Sequence, residues 1–245
     1  MTLNITVGLL SDIDEEDEEM VHEELHFLEE VNQALRERGL PEHHEPAEPP
    51  AGFQGWNASL DSADLEELLG LAVTLCNSDP ETATQRFPHL VGTQCSYYLP
   101  IDVPEPLVFE IDEEDDEGEN YDMEFESEAD DDDEQDDESA LAEDDEQDVL
   151  FGDEEEDEDY LIGVGSSLKL KHELEEIARA IDLPVDSFPV DYSGEGGSEQ
   201  WQGILSELRE KKARCAEVEN ATRALVNLMH ACQLSEQYKL AVCLG

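Results

Sequence analysis

His22-Glu23-Glu24-Leu25-His26 fits the string H-E-x-x-H. On a helix that spacing sets two imidazoles one turn apart for zinc, with the glutamate beside a metal-bound water. A hydrolase site also needs a third ligand, and no H-x-x-G-x-x-H extension follows here. Glu18, Glu19, Glu29 and Glu30 flank the pair and mark it as a solvent-facing strip. Two surface histidines beside a Val/Leu stripe are the expectation. A second pair, His43 and His44, lies in "PEHHEP" (41–46) between Glu42 and Glu45, where a transition metal could find ligands. Adjacent side chains in an extended segment point to opposite sides, so this stretch is expected to be a loop that packs its prolines on the domain. No metal and no cofactor is expected at His22, His26, His43 or His44.

Gly163-Val-Gly-Ser-Ser167 follows a strand-like run and opens a helix, a place where free backbone N–H groups can meet a phosphate. Neither the P-loop G-K-[ST] nor a full G-x-G-x-x-G is present, and only Lys169 and Lys171 are near, so a plain helix cap is expected. Cys76, Cys95, Cys215, Cys232 and Cys243 are odd in number and form no C-x-x-C pair. Neither "LCNSD" nor "QCSYY" is a recognisable nucleophile elbow, and buried, reduced thiols are expected. Carboxylate pairs for acid–base catalysis cannot be selected among 68 acids. No catalytic residue is read from the chain.

Charge is the dominant signal. The formal net charge is −56 over 245 residues, and Glu110–Asp159 holds 32 Asp and Glu with no Lys or Arg. The other 195 residues carry 36 acids and 12 bases, a balance of −24. A tract of that composition cannot bury enough apolar surface to offset its ordering entropy, and its own repulsion opposes collapse. It is therefore expected to be a disordered acidic insertion at 110–159, dividing one core into an N-terminal part, 1–109, and a C-terminal part, 160–245. An extended chain advances about 3.3 Å per residue, so the tract carries one negative charge per roughly 5 Å, against about 3.4 Å per phosphate on one DNA strand. Tyr121, Phe125, Leu150 and Phe151 interrupt the acids and could grip the walls of a groove shaped for nucleic acid. A general salt adaptation would acidify every surface. The helical run 198–232 instead balances Arg209, Lys211, Lys212, Arg214 and Arg223 against Glu199, Glu207, Glu210, Glu217 and Glu219, so the acidity is regional.

The elements that must carry these residues follow from periodicity. Leu3, Ile5, Val7 and Leu9 alternate with polar residues as in a half-buried strand. Val21, Leu25, Leu28, Val31 and Leu35 recur at helical spacing and end at Gly39, with Ser11 or Asp12 as caps. Residues 40–56, rich in Pro and Gly, read as a surface loop. Asp61-Ser-Ala-Asp64 resembles a capping box ahead of a helix through Leu65, Leu68, Leu69, Ala72 and Leu75. Pro100, Pro104 and Pro106 reduce 95–111 to an edge strand or irregular extended segment. Residues 160–184 read as a short strand, a turn, and a helix with Leu170, Leu174, Ile177 and Ile181 on one face, capped by Ser166 or Ser167. One long helix is expected from Ser198 to about Cys232 and a last strand over 238–244. The whole predicts an α+β domain of three to four helices, with a small sheet that includes both terminal strands.

The stretches "ERGLPEHHEPAEP", "CSYYLPIDVPEPL" and "GVGSSLKLKHELEEIA" resemble parts of uncharacterised bacterial cytoplasmic proteins of similar length. That resemblance implies a bacterial, single-domain protein and brings no activity with it. The acidic tract departs from it. The N-terminus offers neither a basic flank nor a long apolar run, so no secretory signal or membrane span is expected, and a cytoplasmic location is.

The function these residues predict is a non-enzymatic acidic binding module of the inhibitor or immunity-protein type. It would dock on a basic partner, a nuclease or other nucleic-acid-binding protein, by nucleic-acid mimicry, with no direct nucleic-acid or membrane contact. The expected contact residues are Asp115, Asp116, Tyr121, Phe125, Asp131, Asp132, Asp133, Leu150, Phe151, Glu154 and Glu155. Two alternatives stay open: a metal-dependent hydrolase built on His22, Glu23 and His26, and weak calcium binding by the tract, whose carboxylates suit that ion.

Overall fold

A computed structural model describes residues 2–9, 18–46, 49–53, 55–92, 95–111, 160–184 and 197–245. The chain divides into two units, 1–110 with 161–245 and 111–160, and the first of these carries the fold described below. Its elements are β1 (Thr2–Val7), α1 (Glu18–Glu37), β2 (Asn57–Asp61), α2 (Ser62–Leu75), α3 (Pro80–Arg86), a π-helical turn (Pro88–Gly92), β3 (Cys95–Leu99), β4 (Leu107–Ile111), β5 (Tyr160–Ser166), α4 (Ser167–Ala180), α5 (Gly197–Glu210), a 3-10 turn (Arg214–Glu217), α6 (Glu219–Tyr238) and β6 (Val242–Leu244). The fold is α+β.

The six strands form one sheet in the order β2-β1-β6-β3-β5-β4. The two terminal strands lie side by side, antiparallel, with Ile5 opposite Leu244 and Val7 opposite Val242. β3 pairs with β6 antiparallel and with β5 in parallel. Strand side chains alternate between faces, and the two apolar clusters sort by that alternation. Tyr98 and Val242 join α2, α4, α5 and α6 in the larger core, while Tyr97, Leu99, Ile162 and Val164 join Val31 and Leu35 of α1 in the smaller one. The sheet is thus covered by α1 on one face and by a helical layer on the other. No described helix is long and apolar enough to cross a membrane.

Several elements differ from the sequence reading, each for a local reason. β3 is a central strand, because Pro100 stands just past its last residue and Pro104 and Pro106 fall in the link to β4, so no ladder N–H is missing. β2 has only Ala58 and Leu60 facing inward, too short an alternation to signal a strand, yet it pairs along its whole length with β1. The expected single helix 198–232 is two helices. Lys212 adopts a left-handed φ of 56° and the Ala213 N–H returns to the Leu208 carbonyl, which closes α5. α6 then runs on to Tyr238, so the last strand begins only at Val242. There are six α-helices among the described residues, because α3 and this break were not readable from apolar periodicity.

On α1, Leu28, Val31 and Leu35 are buried as their spacing requires, but Leu25 is 44% exposed. Phe27 turns to the sheet in its place and packs its ring 4.7 Å from Tyr97. The stripe on α4 behaves as read, with Leu170, Leu174, Ile177 and Ile181 all buried. Asp61 caps α2 by accepting from the Ala63 N–H at 3.0 Å. The caps expected at Ser11 and Asp12 lie outside the described residues.

Candidate functional site

His22 and His26 lie on the exposed face of α1. The nearest described carboxylate to His26 is Glu30 one turn on, at 3.7 Å, with both side chains more than half exposed. Among the described residues no group of three His, Cys, Asp or Glu is placed to hold a metal. The H-E-x-x-H spacing is helical as expected, and the described residues bring no third ligand to it.

The 41–46 loop is built on the side chains sequence reading left open. Its prolines, Pro41 and Pro46, are exposed rather than packed on the domain. His43 and Glu45 are its anchors instead, their side chains 4% and 1% exposed, with His43 Nε2 2.7 Å from Glu45 Oε2. Glu45 Oε1 accepts the Leu9 N–H at 2.9 Å and Oε2 accepts the Ala241 N–H at 3.1 Å. Asn32 of α1 binds both sides of the His43 peptide, Nδ2 donating to its carbonyl and Oδ1 accepting its N–H, each at 2.8 Å. One carboxylate therefore joins the loop to the segments at the ends of β1 and β6. His44, its side chain 79% exposed, points the other way toward Glu42. The pair is divided as an extended backbone dictates, and the two imidazoles do not converge on one site.

Gly163 and Gly165 are not in a turn: both lie inside β5, which passes straight into α4. A Cβ on Gly165 would stand 2.8 Å from the Tyr98 ring and 3.1 Å from Cys95 Sγ, so glycine is required there for close packing of β3 on β5. Ser166 caps α4 by accepting from the Lys169 N–H at 3.2 Å, while its hydroxyl donates to the Ile101 carbonyl. The phosphate-like sequence is a helix cap.

Next to it is a buried polar cluster absent from the sequence reading. Glu173 accepts the N–H groups of His89 and Leu90, at 3.1 and 2.9 Å, which holds the π-helical turn against α4. His89 Nδ1 accepts the Ser166 N–H at 3.1 Å, and Tyr98 donates to the His89 carbonyl at 3.0 Å. Burial pushes the Glu173 carboxyl up to about 7, against the pull of its two N–H donors. Burial also lowers His89 and pushes the Cys95 thiol up to about 12. A thiol held protonated is a poor nucleophile. All five cysteines are thiols, four of them buried. Glu173 had one legible signal: it lies three residues after Leu170 on the same face of α4, where a carboxyl must find buried partners. Asp64 gives the same signal on α2, four residues before Leu68, and it is held by Arg223 of α6 at 3.1 Å.

The raised Glu173 value has a definite pH consequence. Between about 4.5 and about 7 the folded state holds a proton that the unfolded state has released, so this group's contribution to stability falls as pH rises through that window. Glu173→Gln removes the titration. The wild-type chain is expected to lose stability relative to Glu173→Gln between pH 5 and pH 7.5 in urea melts, while the contribution of His89, present in both proteins, cancels to first order. A pH-independent difference would show that the carboxyl titrates alike in both states.

The cations of the folded unit are largely committed to it. Of the 12 Lys and Arg, seven have a carboxylate of the described residues within ion-pair distance: Arg36, Arg86, Lys169, Lys171, Arg209, Lys211 and Arg223. Exposed pairs of this kind add little stability. They do leave few uncompensated positive charges to set against the acids. The contact residues expected between Asp115 and Glu155 lie outside the described residues.

Fold and charge together define an acidic α+β protein with no catalytic constellation among its described residues. The chain belongs to the family described as "Putative DNA-mimic protein", which matches residues 1–89 and 144–244. The matched ranges take in Leu150, Phe151, Glu154 and Glu155, whereas Asp115, Asp116, Tyr121, Phe125 and Asp131–Asp133 fall between them. No curated protein and no solved structure shows a significant match to the chain.

Proposed function

We propose that this protein is a DNA mimic of the inhibitor type: it presents carboxylates in place of phosphates and occupies the DNA-binding surface of a basic protein partner. The observation that carries the reading is the concentration of 32 acids and no bases in Glu110–Asp159, in a chain of this family. The partner's cationic surface, evolved for closely spaced phosphates, attracts such a tract at long range and sheds its own counterions on binding, as it does with DNA. Tyr121, Phe125, Leu150 and Phe151 add apolar contact that phosphates cannot supply, and Asp115, Asp116, Asp131, Asp132, Asp133, Glu154 and Glu155 stand in for the backbone charge. The insertion 110–159 acts as the binding arm, with 1–109 and 160–245 as the single core that carries it. A bacterial cytoplasm is the setting, in keeping with five cysteine thiols.

The test is competition. Immobilised chain is exposed to cell extract at low salt and eluted with a short DNA duplex; the protein released is identified, purified and assayed for duplex binding. The expected result is a DNA-binding protein whose mobility shift is abolished by a stoichiometric amount of this chain, with the complex weakening steeply as salt rises. A partner that holds chain and duplex at the same time would overturn the reading.

A further inference from the structure

A groove of about 790 Å³ lies on the face of the sheet that α2 and α6 cover, within the folded unit. Leu3, Leu65, Leu69, Leu90, Val108 and Leu244 give it an apolar lining, and no Lys or Arg is among its lining residues. Among its described lining residues the one charged side chain is Glu66, on the exposed side of α2. Val108, on the edge strand β4, is 50% exposed, an unusual position for a large apolar side chain with the same strand's Leu107 fully packed. The other polar groups among its lining residues are those of Ser62, Ser96, Cys95 and Tyr98, and the Tyr98 hydroxyl is already committed to the His89 carbonyl, so little is available to orient a small polar ligand.

We infer that this groove is a second docking surface, for the apolar face of a cationic amphipathic helix of the partner. The inference rests on the DNA-mimic reading and deepens it by naming the partner element. Charge complementarity selects the occupant: an apolar trough with a carboxylate at its rim, on a chain of net charge −56, favours a segment whose apolar side chains are bordered by Lys or Arg. An amphipathic helix lays anchors at i, i+3, i+4 and i+7 into such a groove. The volume lies within the range of sites that bury several apolar groups. In sequence the acidic tract begins at Glu110, two residues beyond Val108, so charge attraction by the tract and apolar anchoring by the groove belong to one covalent unit and reinforce each other through effective concentration.

The probe is a labelled peptide of Leu and Lys patterned as an amphipathic helix, compared with a scrambled peptide of the same composition, both titrated by fluorescence anisotropy at two salt concentrations. The full chain is expected to bind the patterned peptide more tightly. Val108→Ser should reduce that preference about five- to tenfold, the loss of one partly buried apolar side chain, with the salt dependence unchanged. Glu66→Lys, a surface change that leaves folding intact, should weaken the patterned peptide by reversing the rim charge; thermal melts confirm that both variants are folded. Equal binding of the two peptides, or a preference that survives both substitutions, overturns the inference. So does a concentration-dependent self-association lost in Val108→Ser, which would make a second copy the occupant, or an apolar small molecule found in the groove by native mass spectrometry. If replacing the acidic tract weakens both peptides while the groove variants change nothing, the groove proposal fails and the DNA-mimic reading stands. If neither peptide binds the wild-type chain even at low salt, both fail together.

Discussion

Replacing residues 112–158 by a short Gly/Ser linker is expected to lower affinity for a basic DNA-binding partner about a hundredfold at low salt and to flatten the salt dependence, while the melting temperature changes little. The stability half of this expectation follows from the cores. The two clusters of the described residues are built by chain on either side of the tract, and the strands that flank it, β4 and β5, are neighbours in the sheet. The binding half follows from charge, since the tract holds more than half of the net −56. Substituting Phe125, Leu150 and Phe151 by Ser separates the two contributions: affinity falls while the salt slope is retained, because no charge is removed. The family match adds a finer division, since only 144–159 of the tract lies inside it. Linker replacement of 144–158 alone is expected to cost more affinity per residue removed than replacement of 112–143. Isothermal titration at two salt concentrations measures the wild type and all four variants. Equal affinity for the wild type and the full replacement would reduce the tract to a solubilising segment and return binding to the folded core.

What was legible in the sequence was what long periodic runs determine. The α4 stripe from Leu170 to Ile181, the alternation of β1 and the Asp61 cap each rest on contacts a few residues apart, and all three appear as read. That the two terminal strands share one sheet was also anticipated, because a short apolar run at each end has few other places to bury; that they lie side by side was not. What was not legible depends on partners distant along the chain. β2 is a strand because β1 offers it a ladder, not because "NASLD" favours one. β3 is central because the prolines fall just past its end, a distinction of one or two positions that composition does not resolve. The turn at Lys212 interrupts an unbroken helical pattern with a single left-handed residue. Composition alone marked the acidic tract. For the buried polar groups, Glu173 and Asp64 left a trace as acids on apolar helix faces, whereas Glu45 sits in a loop with no period to violate.

Glu45 is also where a single substitution is expected to do most damage. Its carboxylate is the shared acceptor for three donors that have no water to turn to: the Leu9 N–H at 2.9 Å, the Ala241 N–H at 3.1 Å and His43 Nε2 at 2.7 Å. Because both oxygens already accept backbone N–H groups, the imidazole nitrogen must serve as the donor. Glu45→Ala strips the acceptor from all three at once, and each orphaned buried donor costs about 1–3 kcal/mol. Together these losses are a large share of the roughly 5–15 kcal/mol that holds a domain together. The same loop supplies its own control. Glu42→Ala and His44→Ala remove the neighbouring residues of the motif, whose contacts are a 3.8 Å approach to each other, with the His44 side chain 79% exposed, and a 3.8 Å approach of Glu42 to Arg36, and exposed pairs contribute only about 0–1 kcal/mol. Urea unfolding should therefore move the midpoint far down for Glu45→Ala, with an unchanged m-value, and hardly at all for the other two. Asn32→Ala, which frees the His43 peptide from α1, is expected to fall between them. Equal midpoints for Glu45→Ala and Glu42→Ala would mean that the loop is held by its chain path alone and that the carboxylate joining the ends of β1 and β6 contributes nothing to the fold.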